Sequence, residues 1–89
     1  MKGIITIIGK DKIGIIAGIS TLLSHCNVNI LDINQTVMRE YFTMIMLVDL
    51  DEMNVEFVDL QNQLSNKAID LSMSIRIQRE DIFDKMYEV

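Results

Sequence analysis

The hydrophobic pattern predicts an α+β domain with the element order β-α-β-β-α-β, and three observations carry that prediction. Ile4-Ile5-Thr6-Ile7-Ile8 is a short run that is apolar at both parities. Two long extended stretches lie back to back around Arg39-Glu40. Near the end, Leu71, Met73, Ile75 and Ile77 alternate strictly with Ser72, Ser74, Arg76 and Gln78. Period two marks strands, and the segments between these runs keep the period of a helix.

The first run is rich in β-branched residues and apolar on both sides, which fits a central strand covered on both faces. After Gly14, the residues Ile15, Ile19, Leu22, Leu23 and Cys26 fall on one helical face, while Gly18, Thr21 and His25 fall on another. This segment is an amphipathic helix that Asn27 ends. Val28 to Met38 and Tyr41 to Leu50 are separated by only two residues, which leaves room for nothing but a hairpin. Asn54 is placed to cap a second helix, with Glu56 and Asp59 where negative charge suits the helix dipole. Phe57, Leu60, Leu64 and Ala68 form its apolar stripe. The alternation from Leu71 onward then gives a strand with one wet face, expected at a sheet edge.

Right-handed crossovers place both helices on the same face of the sheet. The expected architecture is therefore ferredoxin-like: a four-stranded antiparallel sheet of order 4-1-3-2 under two helices. One tension remains in that layout. Phe42, Met44, Met46 and Val48 point one way along the third strand, but Ile45 and Leu47 point the other, so the helix-free face is apolar at its centre. A partner subunit, or a tail over 80–89 carrying Ile82, Phe83, Met86 and Tyr87 at helical spacing, would cover it.

At 89 residues the chain closes a single core, taken as residues 1–79 followed by the tail. Nearly half of it is apolar, at 49%, and 24% is charged, so it folds. Seven methionines and no tryptophan point to a core filled by flexible side chains. The net charge of -5 and the scattered lysines and arginines leave no stripe for a phosphate backbone, which argues against nucleic acid as a partner. The apolar runs are too short for a membrane span. One cysteine permits no internal disulfide, and the opening MKGIITIIG lacks the pattern of a signal peptide, so a cytoplasmic location is expected.

The chemistry concentrates between the first strand and the first helix, in Gly9-Lys10-Asp11-Lys12-Ile13-Gly14. Backbone N–H groups at a helix start, from Ile13 to Ile16, suit an anion, and Gly14 lets a ligand approach the backbone closely. Asp11 would pair with an ammonium group, and Asn29, at the opening of the second strand, offers both donor and acceptor. Together these describe a clamp for a small zwitterion. The same residues also have structural explanations: Asp11 as a turn residue, Asn29 as a cap of the strand start, Lys10 and Lys12 as solvated charges, and Gly9 and Gly14 as backbone requirements.

Other users of the topology each lack a residue. RNA-binding domains display aromatics on the first and third strands, where the first strand here holds Ile and Thr. Copper chaperones need a Cys-x-x-Cys in the first loop. Acylphosphatases use a loop arginine, and the loop here has only lysines. A Walker loop would need Lys and Ser or Thr after Gly14, where Ile15 and Ile16 stand. Gly14 and Gly18 form a Gly-x-x-x-Gly pair, which on such a helix reads as close packing against a strand. His25 and Cys26 are adjacent and diverge by about 100° on a helix, so they cannot share a metal or act as nucleophile and base. His25 is expected to face solvent and Cys26 to enter the core. Asp32 and Asn34, on the second strand, are secondary site candidates. No acid–base pair, metal cluster or activated nucleophile is visible, so neither enzyme activity nor a cofactor is expected.

Taken in order, Gly9-Lys10-Asp11-Lys12-Ile13-Gly14-Ile15-Ile16 followed by Cys26-Asn27-Val28-Asn29-Ile30 resembles the ACT domain, whose pattern is a strand, Asp-Arg-Pro-Gly-aliphatic, a helix, then a Val-Asn-Ile strand opening. Lys12 stands at the arginine position and Ile13 at the proline position, which adds a backbone donor. The ending Asp81-Ile82-Phe83-Asp84-Lys85-Met86-Tyr87 resembles small ACT proteins related to the glycine cleavage repressor group. The resemblance implies an amino-acid sensor that works as a homodimer, with ligand near the subunit boundary, passing its signal to a regulated enzyme or regulator protein. The implied ligand residues are Gly9, Asp11, Lys12, Ile13, Gly14, Ile15, Asn29 and Ile30. The main competing reading is an ACT fold that binds no ligand and serves for dimerisation or protein docking; a small acylphosphatase-like hydrolase is a third.

Overall fold

In a computed structural model, which describes residues 1–10 and 14–81, the six elements follow the expected order. They are β1 (Lys2–Gly9), α1 (Ile15–His25), β2 (Asn29–Met38), β3 (Tyr41–Asp49), α2 (Phe57–Leu71) and β4 (Ser74–Arg79). The sheet order is β2-β3-β1-β4 with every neighbouring pair antiparallel, which is the expected 4-1-3-2 arrangement. The fold is ferredoxin-like, with β1 and β3 at its centre.

The core lies between the sheet and the two helices. Ile5 and Ile7 of β1, and Met44, Met46 and Val48 of β3, meet Ile15, Ile19 and Leu23 of α1 and Leu60 and Leu64 of α2, all buried. Each such side chain contributes about 1.5–3 kcal/mol on leaving water. Cys26 is buried as expected, with its Sγ 3.5 Å from Oε1 of Gln63, and His25 is exposed. Asn27 ends α1 in the left-handed region, at φ 58°, where a short polar side chain is tolerated at helix ends.

Four expectations are corrected. Asn54 does not cap α2; Glu56 is the residue before its first turn. Asn54 instead closes the far end of α1, its Nδ2 donating to the carbonyl of His25 (3.0 Å) and its backbone N–H to that of Cys26 (3.1 Å). Those carbonyls are orphans of the helix terminus, and satisfying them outweighs capping an exposed N-terminus. The last strand begins at Ser74, not Leu71, because the hydrogen-bond ladder of α2 continues through Leu71. Ser72, at φ 55°, then turns the chain, with Met73 N–H donating to Ala68 C=O at 2.9 Å. Period-two spacing at 71 and 73 was shared by chance with the helix end.

The third correction concerns β1, which is covered on one face only among the described residues. Ile5 and Ile7 are sealed under the helices, whereas Ile8 on the other face is 47% exposed. The expected tail over 80–89 falls mostly outside the described residues. The fourth concerns the Gly14/Gly18 pair. A Cβ on Gly18 would first meet the Lys67 side chain of α2 at 3.8 Å, and one on Gly14 would meet nothing within 4 Å, so neither glycine permits close packing against a strand.

The two glycines accordingly have opposite expected responses. Gly18→Ala fills ordinary space in a helix interior and is expected to raise stability by about 0.5–1 kcal/mol. Gly14→Ala forces a Cβ onto φ +77° and is expected to lower it by about 1 kcal/mol. Urea midpoints of the two variants measure both.

At the start of the chain, the amino group of Met1 pairs with the exposed carboxylate of Asp51, and Leu50 N–H donates to Met1 C=O at 2.8 Å. The hydrogen bond from that ammonium, with its charge, holds the Asp51 carboxyl below its usual value of 3.8. The charged form is thus favoured by folding, so this contribution is present above the ordinary carboxylate range and is lost as acidification protonates Asp51.

Candidate functional site

Of the helix mouth expected from the sequence, the described residues include Gly14 and the start of α1. Gly14 precedes α1 in the left-handed conformation, with no side chain capping the helix and no acidic residue in its first turn. Among the described residues the first bond of the ladder runs from Gly18 N–H to Gly14 C=O at 2.9 Å, with the N–H groups of Ile15, Ile16 and Ala17 ahead of it. The positive end of the helix dipole thus faces the loop without a described carboxylate to offset it. Among the described residues nothing stands within 4 Å of the Cβ side of Gly14.

The other candidates behave differently. Ile15 can offer only its backbone, since its side chain is in the core at 1% exposure. Gly9 is a packing glycine: a Cβ there would come within 2.5–2.9 Å of the Met73 side chain. Lys10 lies beside Tyr41, its Nζ 5.7 Å from the ring centroid, an arrangement for a cation–π contact. Asp11, Lys12 and Ile13 lie outside the described residues.

Asn29 and Ile30 sit elsewhere. Asn29 pairs with Asp49, which pairs with Lys2, so it stands at the beginning of β1, whereas Gly9, Phe42 and Val37 mark the opposite end of the sheet. Seven residues of strand separate those levels, roughly 23 Å at about 3.3 Å per residue. α1 spans the same gap: it leaves the Gly14 end and arrives at Asn29. Within one chain Gly9 is therefore not brought together with Asn29, because the two charged ends of an amino acid lie only about 3 Å apart.

Asn29 and Ile30 instead border an open groove of about 580 Å³ between the second half of α1 and the start of β2. Its polar lining comes from Ser20, Ser24, Asn27, Asn29, Asp49 and Glu52. Asn27 is held there by a bond from its Nδ2 to the Glu52 carbonyl at 2.7 Å. Asp49 Oδ1 accepts from the N–H of Asp51 at 2.9 Å. The sequence reading passed over Ser20 and Ser24, although hydroxyls at i and i+4 beside the buried Leu23 mark one helix face. Among the described residues no three His, Cys, Asp or Glu side chains gather as a metal site. No described helix is long and apolar enough to cross a membrane.

β2 is the sheet edge beside this groove. Leu31, Ile33, Val37 and Met38 are all exposed on it, at 43%, 38%, 59% and 70%, and its register shifts between Ile30 and Asp32. A ten-residue strand with one charge and no proline lacks, in its own sequence, the devices that usually blunt an edge.

Comparison with known proteins agrees with this architecture. The family model described as the ACT domain matches residues 3–78. A UPF0237 protein of Clostridium acetobutylicum is 55% identical over 89 residues, covering both chains completely. The solved structure of an ACT domain protein from Streptococcus pneumoniae is 46% identical, with a TM-score of 0.83 and 98% of each chain covered. A putative glycine cleavage system transcriptional repressor shares the fold at a TM-score of 0.75 and 22% identity, over 88% of this chain and 44% of its own. The strand, glycine-bearing loop, helix and strand opening that suggested the resemblance lie inside the matched span, and the chain belongs to the ACT domain family, among its UPF0237 proteins.

Proposed function

We propose that the chain is a regulatory small-molecule sensor that binds an amino acid at a clamp shared between two copies. The observation that carries this reading is the open helix mouth at Gly14 in a domain of a generally regulatory, ligand-binding family. The α-carboxylate would lie on the N–H groups that follow Gly14, with Asp11 on the ammonium. Lys12 and Ile13 would line the same loop.

The second half of the clamp, Asn29 with Ile30, comes from a partner. A two-fold that pairs β2 with its own copy in full antiparallel overlap sets the partner's residue 29 level with Met38. That is the end of the sheet at which Gly9 and Gly14 lie. The exposed apolar edge of β2 supports such pairing. The partner's groove would then receive the ligand side chain, and its Asp49 and Glu52 disfavour acidic amino acids. A regulated enzyme or regulator protein would read the resulting change in the dimer.

Calorimetric titration with each common amino acid tests this directly. Binding below millimolar concentration is expected for at least one neutral or basic amino acid and not for aspartate or glutamate. Titration with no heat from any of them would favour the second reading, a docking or dimerisation module, for which the open β2 edge suffices.

A further inference from the structure

Ser20 and Ser24 turn one side of α1 to the groove at β2, and another side of the same helix forms a second groove with α2. This one is open, encloses about 520 Å³, and takes its floor from Ala17, Gly18 and Leu22. Its polar rim is Thr21 and His25 from α1 with Gln63 and Lys67 from α2. The spacings 18-21-25 and 63-67 set each group on one helix face. No carboxylate lines the groove, although the chain carries a net charge of -5.

Every polar group on that rim presents a donor. The buried Cys26 thiol takes Oε1 of Gln63, 3.5 Å from its Sγ, which leaves the amide nitrogen as the end able to reach the groove. Lys67 is half-buried, its Cε 3.8 Å and its Cδ 3.9 Å from where a Cβ on Gly18 would stand. It makes no ion pair among the described residues. Thr21 donates a hydroxyl, and His25 keeps an N–H in either charge state. The acceptors at the end of α1 that would oppose an anion are occupied. Asn54 binds the carbonyls of His25 and Cys26, through its Nδ2 at 3.0 Å and its backbone N–H at 3.1 Å.

We propose that this groove binds a small organic oxyanion, its charged head on Lys67, Thr21 and Gln63 and its apolar body over Ala17, Gly18 and Leu22. An unpaired cation whose stem lies against a glycine, ringed by donors, suits a phosphate or carboxylate group. The apolar floor adds affinity for a body that a bare ion lacks. The site lies between the two helices of one chain, so it needs no second copy and does not rest on the clamp at Gly14.

Titration of the isotope-labelled full chain with phenyl phosphate, benzoate and inorganic phosphate, followed by amide and side-chain NMR signals, tests this. Saturable shifts at Gly18, Thr21, His25 and the Gln63 side-chain amide are expected with at least one organic anion. Whichever of the two binds more tightly assigns the head as phosphoryl or carboxylate. Inorganic phosphate is expected to bind about tenfold more weakly than the better organic anion. Lys67→Gln is expected to weaken binding by about tenfold to a hundredfold, the worth of a charge-assisted hydrogen bond, and Lys67→Arg to restore it. Arg76→Gln removes an equal charge from β4, on the sheet face away from the helices, and is expected to leave affinity unchanged. Shifts confined to Gly14 and Ile15 would place the anion at the helix mouth and overturn the proposal while leaving the clamp standing. Equal weakening by Lys67→Gln and Arg76→Gln, or inorganic phosphate binding as tightly as the organic anions, would overturn it by showing an adventitious ion only. The absence of any saturable shift with both organic anions would overturn it as well.

Discussion

Replacing Ile5 with alanine is expected to cost about 3–4 kcal/mol of folding stability, read as a shift of the urea midpoint at unchanged slope. Ile5 has no exposed surface, sits on a central strand opposite Met46 and Ile77, and has no route by which solvent could fill the space left behind. A domain of this size holds only about 5–10 kcal/mol in total, so that single change removes a large share of it. Ile8→Ala, on the same strand but facing the open side, is expected to cost less than about 1 kcal/mol within one chain. The contrast between two isoleucines three residues apart measures which face of β1 is sealed. Equal losses would contradict the one-sided core.

Replacing Asp11 with alanine is expected to weaken amino-acid binding by about tenfold to a hundredfold, the worth of a charge-assisted hydrogen bond to an ammonium group. Asn29→Ala, which removes a neutral contact, is expected to cost about tenfold. Asn29 is exposed at a strand start, so its variant should keep the parent's urea midpoint within about 0.5 kcal/mol. Calorimetry on folded variants therefore reads recognition and not unfolding. Unchanged affinity in Asp11→Ala would leave that residue as a turn former only.

Much of the architecture was legible because each element has one dominant period. The alternation in β3 and the helical stripes of α1 and α2 left no competing assignment, and the two-residue gap at Arg39-Glu40 forced the hairpin. Arg39 adopts φ 57° there, a conformation the sequence did not advertise with glycine or asparagine. Boundaries were harder where one residue type serves two purposes. Asn54 has the chemistry of a cap for either helix, and only tertiary proximity assigns it to the end of α1. Leu71 and Met73 satisfy a strand pattern and a helix end equally well. Of the candidate site, the glycine-bearing loop before a helix is what sequence alone offers as the proposed anion cradle. The distance from that cradle to Asn29 depends on strand register, which local pattern does not supply.

That separation makes sharing between copies the central claim, and a mixing experiment tests it most directly. Asp11→Ala and Asn29→Ala are prepared separately, allowed to exchange subunits, and titrated with the amino acid that the parent binds. Each variant alone is expected to bind weakly, and about a quarter of the mixture's sites to recover parental affinity, because half the dimers are mixed and each mixed dimer holds one intact site made from the unaltered loop of one chain and the unaltered Asn29 of the other. A mixture as weak as its components, with the parent binding normally, would contradict a clamp built across two copies.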